Sequence, residues 1–100
     1  MNPQIRDNAA LHRYEIEVDG QTAYVRYTRK PGVITFIHTE VPEALSGKGI
    51  GSRLARHVLD AARAEGLQVV PVCPFIDAWM KKHREYNDLR LSATTRAAAG

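Results

Sequence analysis

The hydrophobic pattern of this 100-residue chain changes its period in the middle, at a cluster of glycines. Before the cluster, apolar and polar residues alternate, which is typical of β-strands with one buried face. After it, from Ile50 onwards, apolar residues recur every three or four positions, which is typical of an amphipathic helix. A chain that begins as sheet and continues as helix is predicted to form a mixed α+β fold.

Three strands are predicted in the first half, after ten mostly polar residues. The segment Arg13–Val18 alternates, and the Asp-Gly pair behind it is a strong hairpin signal. Residues 21–29 are rich in β-branched and aromatic types, and a Lys-Pro-Gly turn separates them from a third strand, Val33–Val41. We therefore expect an antiparallel meander that follows a polar N-terminal tail.

A helix and a fourth strand follow the glycines. The helical spacing that starts at Ile50 ends before Gly66, which suits the left-handed residue behind a helix C-terminus. The apolar segment Leu67–Val72 indicates a buried strand. A strand–helix–strand unit of this length predicts a right-handed crossover and a parallel pair of strands.

The last part of the chain is predicted to be helical. Pro74 suits the first turn of a second helix, and residues 84–91 indicate a last short helical piece. The small, polar residues behind them are typical of a frayed terminus. We predict one α+β domain over residues 1–91, with its helices packed on the sheet, and a flexible tail over residues 92–100.

Composition limits the class of protein. The chain is 44% hydrophobic and 25% charged, which is ordinary for a globular domain. No apolar run is long enough to cross a bilayer, and the N-terminal residues lack the apolar segment of a secretory signal. The single cysteine, Cys73, has no partner for an internal disulfide. We therefore expect a cytoplasmic protein with no membrane partner.

The net charge of +3 favours a phosphate-bearing small molecule over a nucleic acid as the ligand. No arginine-rich arm, zinc-finger spacing or RNP-like aromatic motif is present, so we expect no specific nucleic-acid binding. Four scattered histidines and one cysteine do not form a zinc-ligand pattern, and we predict no metal site.

The glycine cluster, Gly47, Gly49 and Gly51, fits either an anion site or a plain tight turn. Its spacing differs from the Walker pattern and from the dinucleotide fingerprint. The segment around the glycines does match a strand, a flexible loop and the start of a helix, in that order. Backbone N–H groups and the helix dipole favour a pyrophosphate at such a place.

The segment "SGKGIGS" resembles motif A of the GCN5-related N-acetyltransferases, in which Q/R-x-x-G-x-G/A binds the pyrophosphate of acetyl-coenzyme A. The matching residues are Ser46, Gly49 and Gly51. Ser46 departs from the Gln or Arg of the motif, which affects one side-chain contact and not the backbone cradle. With "PVCPF" and "HREY" downstream, residues 40–89 more specifically resemble the small YjdJ-like subfamily.

The resemblance implies a minimal acetyltransferase fold that uses acetyl-coenzyme A as co-substrate and acetylates an unidentified amine acceptor. It also implies that the strand before the loop and the strand after the helix splay apart around the pantetheine arm. The residues expected at the cofactor lie in the loop, the first helical turn and the end of the fourth strand: Val41, Gly47, Lys48, Gly49, Ile50, Gly51, Ser52, Arg53, Val72, Cys73, Pro74 and Phe75.

Two candidate catalytic residues lie downstream. Cys73 ends the fourth strand, where it is either a nucleophile that takes the acetyl group or a small buried residue. The dipole of the helix that begins behind it would favour a thiolate. In the wider family a tyrosine in the region of Tyr86 protonates the leaving thiolate, although Tyr86 also suits a cover over the edge of the core.

The third candidate, Glu40, ends the third strand. Residues two apart on a strand share a face, so His38 and Glu40 are expected on the same side as Ile34 and Phe36. Either polar side chain is a candidate for the base that takes the proton of the amine.

A non-catalytic coenzyme A-binding module remains an alternative interpretation. Larger family members carry a further strand and helices that build an acceptor wall, whereas roughly thirty residues precede Val33 here. Turnover with a panel of amines distinguishes the two functions.

Overall fold

The computed structural model describes residues 4–91, and one five-stranded sheet runs through them. Strands β1 to β4 pair antiparallel in chain order, and β5 pairs parallel to β4. Helix α1 connects β4 to β5, and helix α2 and a 3-10 helix follow. The strands and helices are β1 (Arg6–Asn8), β2 (Arg13–Val18), β3 (Gln21–Lys30), β4 (Val33–Glu40), α1 (Ile50–Ala64), β5 (Gln68–Pro71), α2 (Pro74–Lys82) and the C-terminal 3-10 helix Arg84–Leu89, with two short 3-10 helices at Ala9–Leu11 and Glu43–Leu45.

This architecture confirms the predicted meander, crossover and C-terminal helix. The predicted flexible tail at 92–100 lies outside the described residues. One expectation was wrong: part of the polar N-terminal tail forms β1, which pairs with the first half of β2. A strand of three residues is too short to show a period, and what holds it is a partner distant in sequence.

That partner is Glu15 on β2. Its carboxylate accepts hydrogen bonds from Arg6 at 2.8 Å, Arg13 at 2.7 Å and Asn8 at 3.2 Å. Burial by itself would raise the pKa of Glu15, but these donors outweigh burial and lower that pKa below its ordinary value. An ionised, nearly buried carboxylate therefore ties β1 to the sheet.

The core lies on one face of the sheet. Helix α1 packs on β2, β3 and β5, helix α2 packs on β4 and β5, and the two helices touch each other. Within residues 4–91 no helix covers the opposite face, which we call the outer face. Neither helix has the length and hydropathy of a membrane span. The most deeply buried large side chains are Phe36, Ile16, Ile34, Leu45, Leu54, Leu59, Ile76 and Met80.

Strand β4 carries a bulge. Phe36 lies opposite Tyr27 of β3, but the next residue of β3, Arg26, lies opposite His38. Two residues of β4 therefore occupy the space of one, and Ile37 is the extra residue. A bulge of this kind shifts all later side chains to the other face of the sheet.

The bulge overturns the expected orientation of His38 and Glu40. They do not share the face of Ile34 and Phe36, because the extra residue turns them to the outer face. Thr39 takes the place on the helix-covered face instead. Strict alternation along the sequence gave the wrong face, since the alternation is interrupted at Ile37.

Candidate functional site

The loop between β4 and α1 exposes its backbone. Gly47 and Gly49 have φ angles of 78° and 73°, in the left-handed region that glycine enters without steric cost. Gly49 is the N-cap of α1, and no side chain caps this helix. The first intrahelical bond runs from the N–H of Arg53 to the carbonyl of Gly49 at 3.1 Å. The earlier N–H groups of the helix therefore lie at the positive end of its dipole without an intrahelical acceptor.

The first turn of α1 also lies against α2. A Cβ on Gly51 would stand 3.0 Å from the ring of Phe75, so glycine is what allows this approach. Phe75 is 40% exposed, and Val72 is 60% exposed. Apolar surface is therefore open to a ligand where α2 begins.

Two cations stand near the loop. Lys48 Nζ is 3.7 Å from Asp19 Oδ2 in the turn between β2 and β3, and both side chains are well exposed. Such a surface pair contributes little stability, so Lys48 can exchange it for a phosphate. Arg53 lines a cavity of about 440 Å³ along the exposed side of α1, together with Gln4, Ile5, Arg56, His57 and Asp60.

The pairing of β4 with β5 stops before β4 ends. The last parallel pair joins Phe36 to Pro71, which has no N–H to continue the ladder. The N–H of Cys73 then donates to the carbonyl of Phe36 at 2.9 Å. From there β4 continues to Glu40 without β5 beside it. The two strands are therefore unpaired beyond Phe36 and Pro71, and we call this place the gap between β4 and β5. The splaying of the strands around a pantetheine arm, which the resemblance implies, stays a prediction.

Cys73 lies at this gap. It is 2% exposed and is the N-cap residue of α2. Its Sγ is 3.2 Å from Oγ1 of Thr39, across from the end of β5. The thiol is therefore at the positive end of a helix dipole and has a fixed hydroxyl partner.

His38 and Glu40 form a pair on the outer face. The Nε2 atom of His38 and the Oε1 atom of Glu40 are 3.0 Å apart, and the side chains are 53% and 52% exposed. A carboxylate only accepts hydrogen bonds, so Nε2 carries the proton that is shared with it. In that tautomer Nδ1 is the acceptor atom of the ring.

The hydroxyl of Tyr86 has its partners on α1. It donates to Oδ1 of Asp60 at 2.6 Å, and Arg56 donates to it at 3.3 Å. Burial, followed by the bond to Asp60, raises the pKa of Tyr86 above its ordinary value. The hydroxyl of Tyr86 is thus hydrogen-bonded to side chains of α1, whereas the thiol of Cys73 contacts a side chain of β4.

Thr39 is a residue of the site that no sequence pattern indicated. The local pattern contains no signal for it, because Thr39 reaches the helix-covered face only through the bulge at Ile37. Its contact with Cys73 joins residues separated by 34 positions. The hydroxyl of Thr39 therefore comes beside the cysteine only in the packed sheet.

A family model described as GCN5-related N-acetyl-transferase matches residues 13–89. The chain belongs to this family. Members of the GCN5-related family use acetyl-coenzyme A.

The fold of this GCN5-related domain is shared with a solved structure. It superimposes on the NMR structure of a GCN5-like protein from Staphylococcus aureus with a TM-score of 0.70 and 26% identity, covering 89% of this chain and 88% of that one. Protein NATD1 of Gallus gallus is 35% identical over 51 residues, which is 51% of this chain and 46% of the relative. The Homo sapiens protein has the same identity over 45% of its length. The match spans under half of these curated relatives.

Proposed function

We propose that this domain is an acetyl-coenzyme A-dependent N-acetyltransferase that passes the acetyl group through Cys73 to an amine. The observation that carries the proposal is the gap between β4 and β5, where the thiol stands beside Thr39 at 3.2 Å. The same strand end leads into the glycine loop. The free state of the one cysteine supports a reducing, cytoplasmic location.

In this proposal the cofactor lies along three surfaces. The backbone amides from Gly47 to Ser52 hold the pyrophosphate, with Lys48 and Arg53 as nearby cations. The pantetheine arm follows the exposed apolar surface at the start of α2 into the gap. The residues proposed to line that path are Val41, Val72, Cys73, Pro74 and Phe75.

The chemistry would proceed in two transfers. The Sγ atom of Cys73 attacks the thioester carbonyl and a carbon–sulfur bond to the acetyl group forms. The carbon–sulfur bond to coenzyme A breaks, the thiol proton of Cys73 passes to the departing sulfur, and coenzyme A leaves as the thiol. A neutral amine then attacks acetyl-Cys73, a carbon–nitrogen bond forms, and the thiol returns. The pair of His38 and Glu40 supplies the base that takes the proton of the amine.

The test is coenzyme binding together with turnover. We expect acetyl-coenzyme A to bind in calorimetry with a dissociation constant in the range of about 1 µM to 1 mM that is usual for such substrates. We also expect acetylation of at least one member of an amine panel. Binding with no transfer to any amine would support a non-catalytic module. Absence of binding would contradict both functions.

For Tyr86 we propose a structural role at the junction of α1 and the 3-10 helix. Tyr86→Phe removes the donor to Asp60, and we expect a loss of about 1 kcal/mol in the free energy of unfolding. Turnover should stay within a few-fold of the unmodified protein. Urea unfolding and steady-state kinetics check these expectations. A hundredfold fall in kcat with unchanged stability would instead assign Tyr86 the proton-donor role expected from the family.

A further inference from the structure

The cavity along the exposed side of α1, which we call the α1 cavity, lies apart from the gap that holds Cys73. We infer that the α1 cavity is a second binding site, which takes a small hydroxylated molecule with a phosphate monoester group, of the sugar phosphate class. This inference goes beyond the proposed function and does not depend on it. The walls of the α1 cavity come from α1 and the N-terminal segment, not from β4 and β5.

Two separate parts of the chain form the α1 cavity. Four residues of α1 make one wall, and they share one side of the helix because positions three and four apart are neighbours. Gln4 and Ile5, which precede β1, make the other wall. From Arg53 to Asp60 the helix rises roughly 10 Å. With a volume of about 440 Å³, the α1 cavity has the size of a site for a small molecule.

Arg56 brings a positive charge to the α1 cavity. Its guanidinium lies 5.3 Å from the centre of the Trp79 ring and donates to the hydroxyl of Tyr86 at 3.3 Å. These contacts hold the guanidinium in place, and no carboxylate of the described chain lies within ion-pair distance of it. Arg63, two turns further along α1, is instead bonded to both carboxylate oxygens of Asp88, at 2.8 and 2.9 Å. Arg56 therefore fits an oxyanion on a ligand, which a guanidinium binds through paired N–H groups.

The charges at this end of the α1 cavity favour a phosphate over a carboxylate. Arg53 and Arg56 both line the cavity, three positions apart on the same side of the helix. A phosphate monoester carries a charge of about −1.5 to −2 at pH 7, whereas a carboxylate carries a single negative charge. Two guanidinium groups are therefore matched better by a phosphate.

Asp60 indicates what the rest of the ligand carries. Its Oδ1 accepts the hydroxyl proton of Tyr86 at 2.6 Å, which leaves Oδ2 as a further acceptor at the α1 cavity. A carboxylate only accepts hydrogen bonds, so the ligand must present a donor here. Arg56 lies one turn away and contacts the same hydroxyl of Tyr86, which disfavours a second cation. A neutral hydroxyl is therefore the donor that fits beside Asp60.

The position of the α1 cavity separates it from the path proposed for acetyl-coenzyme A. Phe75, which borders that path, lies against Gly51 on the side of α1 that faces α2. The ring of His57, by contrast, stands 5.7 Å from that of Tyr14 on β2. Strands β3 and β4, at a spacing of about 4.8 Å per strand, separate β2 from β5. Arg53 borders both places, so the test relies on Arg56.

Titration with two sugar phosphates tests the inference. The probes are glucose 6-phosphate and glycerol 3-phosphate, measured by calorimetry and by the shifts of backbone amide signals. We expect at least one probe to bind with a dissociation constant below about 1 mM, the upper end of the usual range for small substrates. The shifts should fall on α1 between Arg53 and Asp60. Glucose and inorganic phosphate should each bind at least about tenfold more weakly, because each lacks one half of the contacts.

Arg56→Gln is expected to weaken the binding of the sugar phosphate by roughly 10- to 100-fold, since a hydrogen bond between two charged groups is lost. Arg56 is exposed, so the substitution leaves the core intact. Arg63→Gln is the matched control, because it removes the same charge from the same helix at a position outside the α1 cavity. This variant should keep the affinity. Circular dichroism shows whether both variants are folded.

Four results would overturn the inference. Binding of neither probe would exclude the ligand class, and equal losses in Arg56→Gln and Arg63→Gln would mean attraction by net charge alone. Inorganic phosphate that binds as well as glucose 6-phosphate would reduce the cavity to a site for a free anion. If saturating acetyl-coenzyme A displaces the sugar phosphate, the cavity holds the ribose phosphate of the coenzyme. The proposed function is tested separately, with acetyl-coenzyme A alone.

Discussion

Gly49→Val is expected to weaken the binding of acetyl-coenzyme A by roughly 10- to 100-fold. Gly49 has a φ of 73°, where a β-branched residue is strained, so the loop would change its path and turn its N–H groups away from the pyrophosphate. Each hydrogen bond to a charged group contributes about 1.5 to 3 kcal/mol, and about 1.4 kcal/mol corresponds to tenfold in affinity. Isothermal titration calorimetry measures the change.

Gly32→Val is the matched control for this loop variant. Gly32 has a φ of 76° in the turn between β3 and β4, and at Gly32, as at Gly49, an added Cβ would meet no other atom within 4 Å. Both variants should therefore lose stability through the same backbone strain, which thermal unfolding measures. The loss of affinity should be confined to Gly49→Val. A folded Gly49→Val protein with normal affinity would show that the loop is a turn and not a phosphate site.

Cys73→Ala is expected to abolish covalent acetylation of the protein and to lower kcat by at least about a thousandfold, as removal of a nucleophile does elsewhere. The reason is that no other described side chain stands with a nucleophilic sulfur at the gap between β4 and β5. Intact-protein mass spectrometry after mixing with acetyl-coenzyme A should show the added mass of one acetyl group in the unmodified protein and none in the variant.

The variant must be shown to bind the co-substrate for this result to count. We expect Cys73→Ala to keep its affinity for acetyl-coenzyme A, because the backbone loop that holds the pyrophosphate is unchanged. The contrary outcome is specific: turnover that persists in Cys73→Ala, with no acetylated protein at any time, would mean direct attack of the amine on acetyl-coenzyme A. The pair of His38 and Glu40 would still supply the base for the amine in that case.

The elements with a clear local period were predictable from the sequence. The alternation over β2 and β3, the helical spacing of α1 and the proline at the start of α2 each depend on residues close in the chain. Their predicted bounds agree with the structure to within a residue or two. The glycine loop was recognisable for the same reason, since its spacing and the helix behind it are local.

The site depended on contacts that are distant in sequence. The face of His38 and Glu40 was predicted wrongly because one extra residue at Ile37 is accommodated only when β4 pairs with β3. The hydrogen bond from Tyr86 to Asp60 of α1 was not predictable from a local pattern either, because it joins residues distant in the sequence.

The sequence by itself thus determined the order of strands and helices from β2 onwards, the family and the position of the glycine loop, since short-range periodicity and a compact motif carry that information. The tertiary structure alone decided that β1 exists, that Thr39 stands against Cys73, and that the His38–Glu40 pair lies on the outer face. The physical reason is strand pairing. Register across a sheet sets which side chains meet, and register is a property of two segments rather than one.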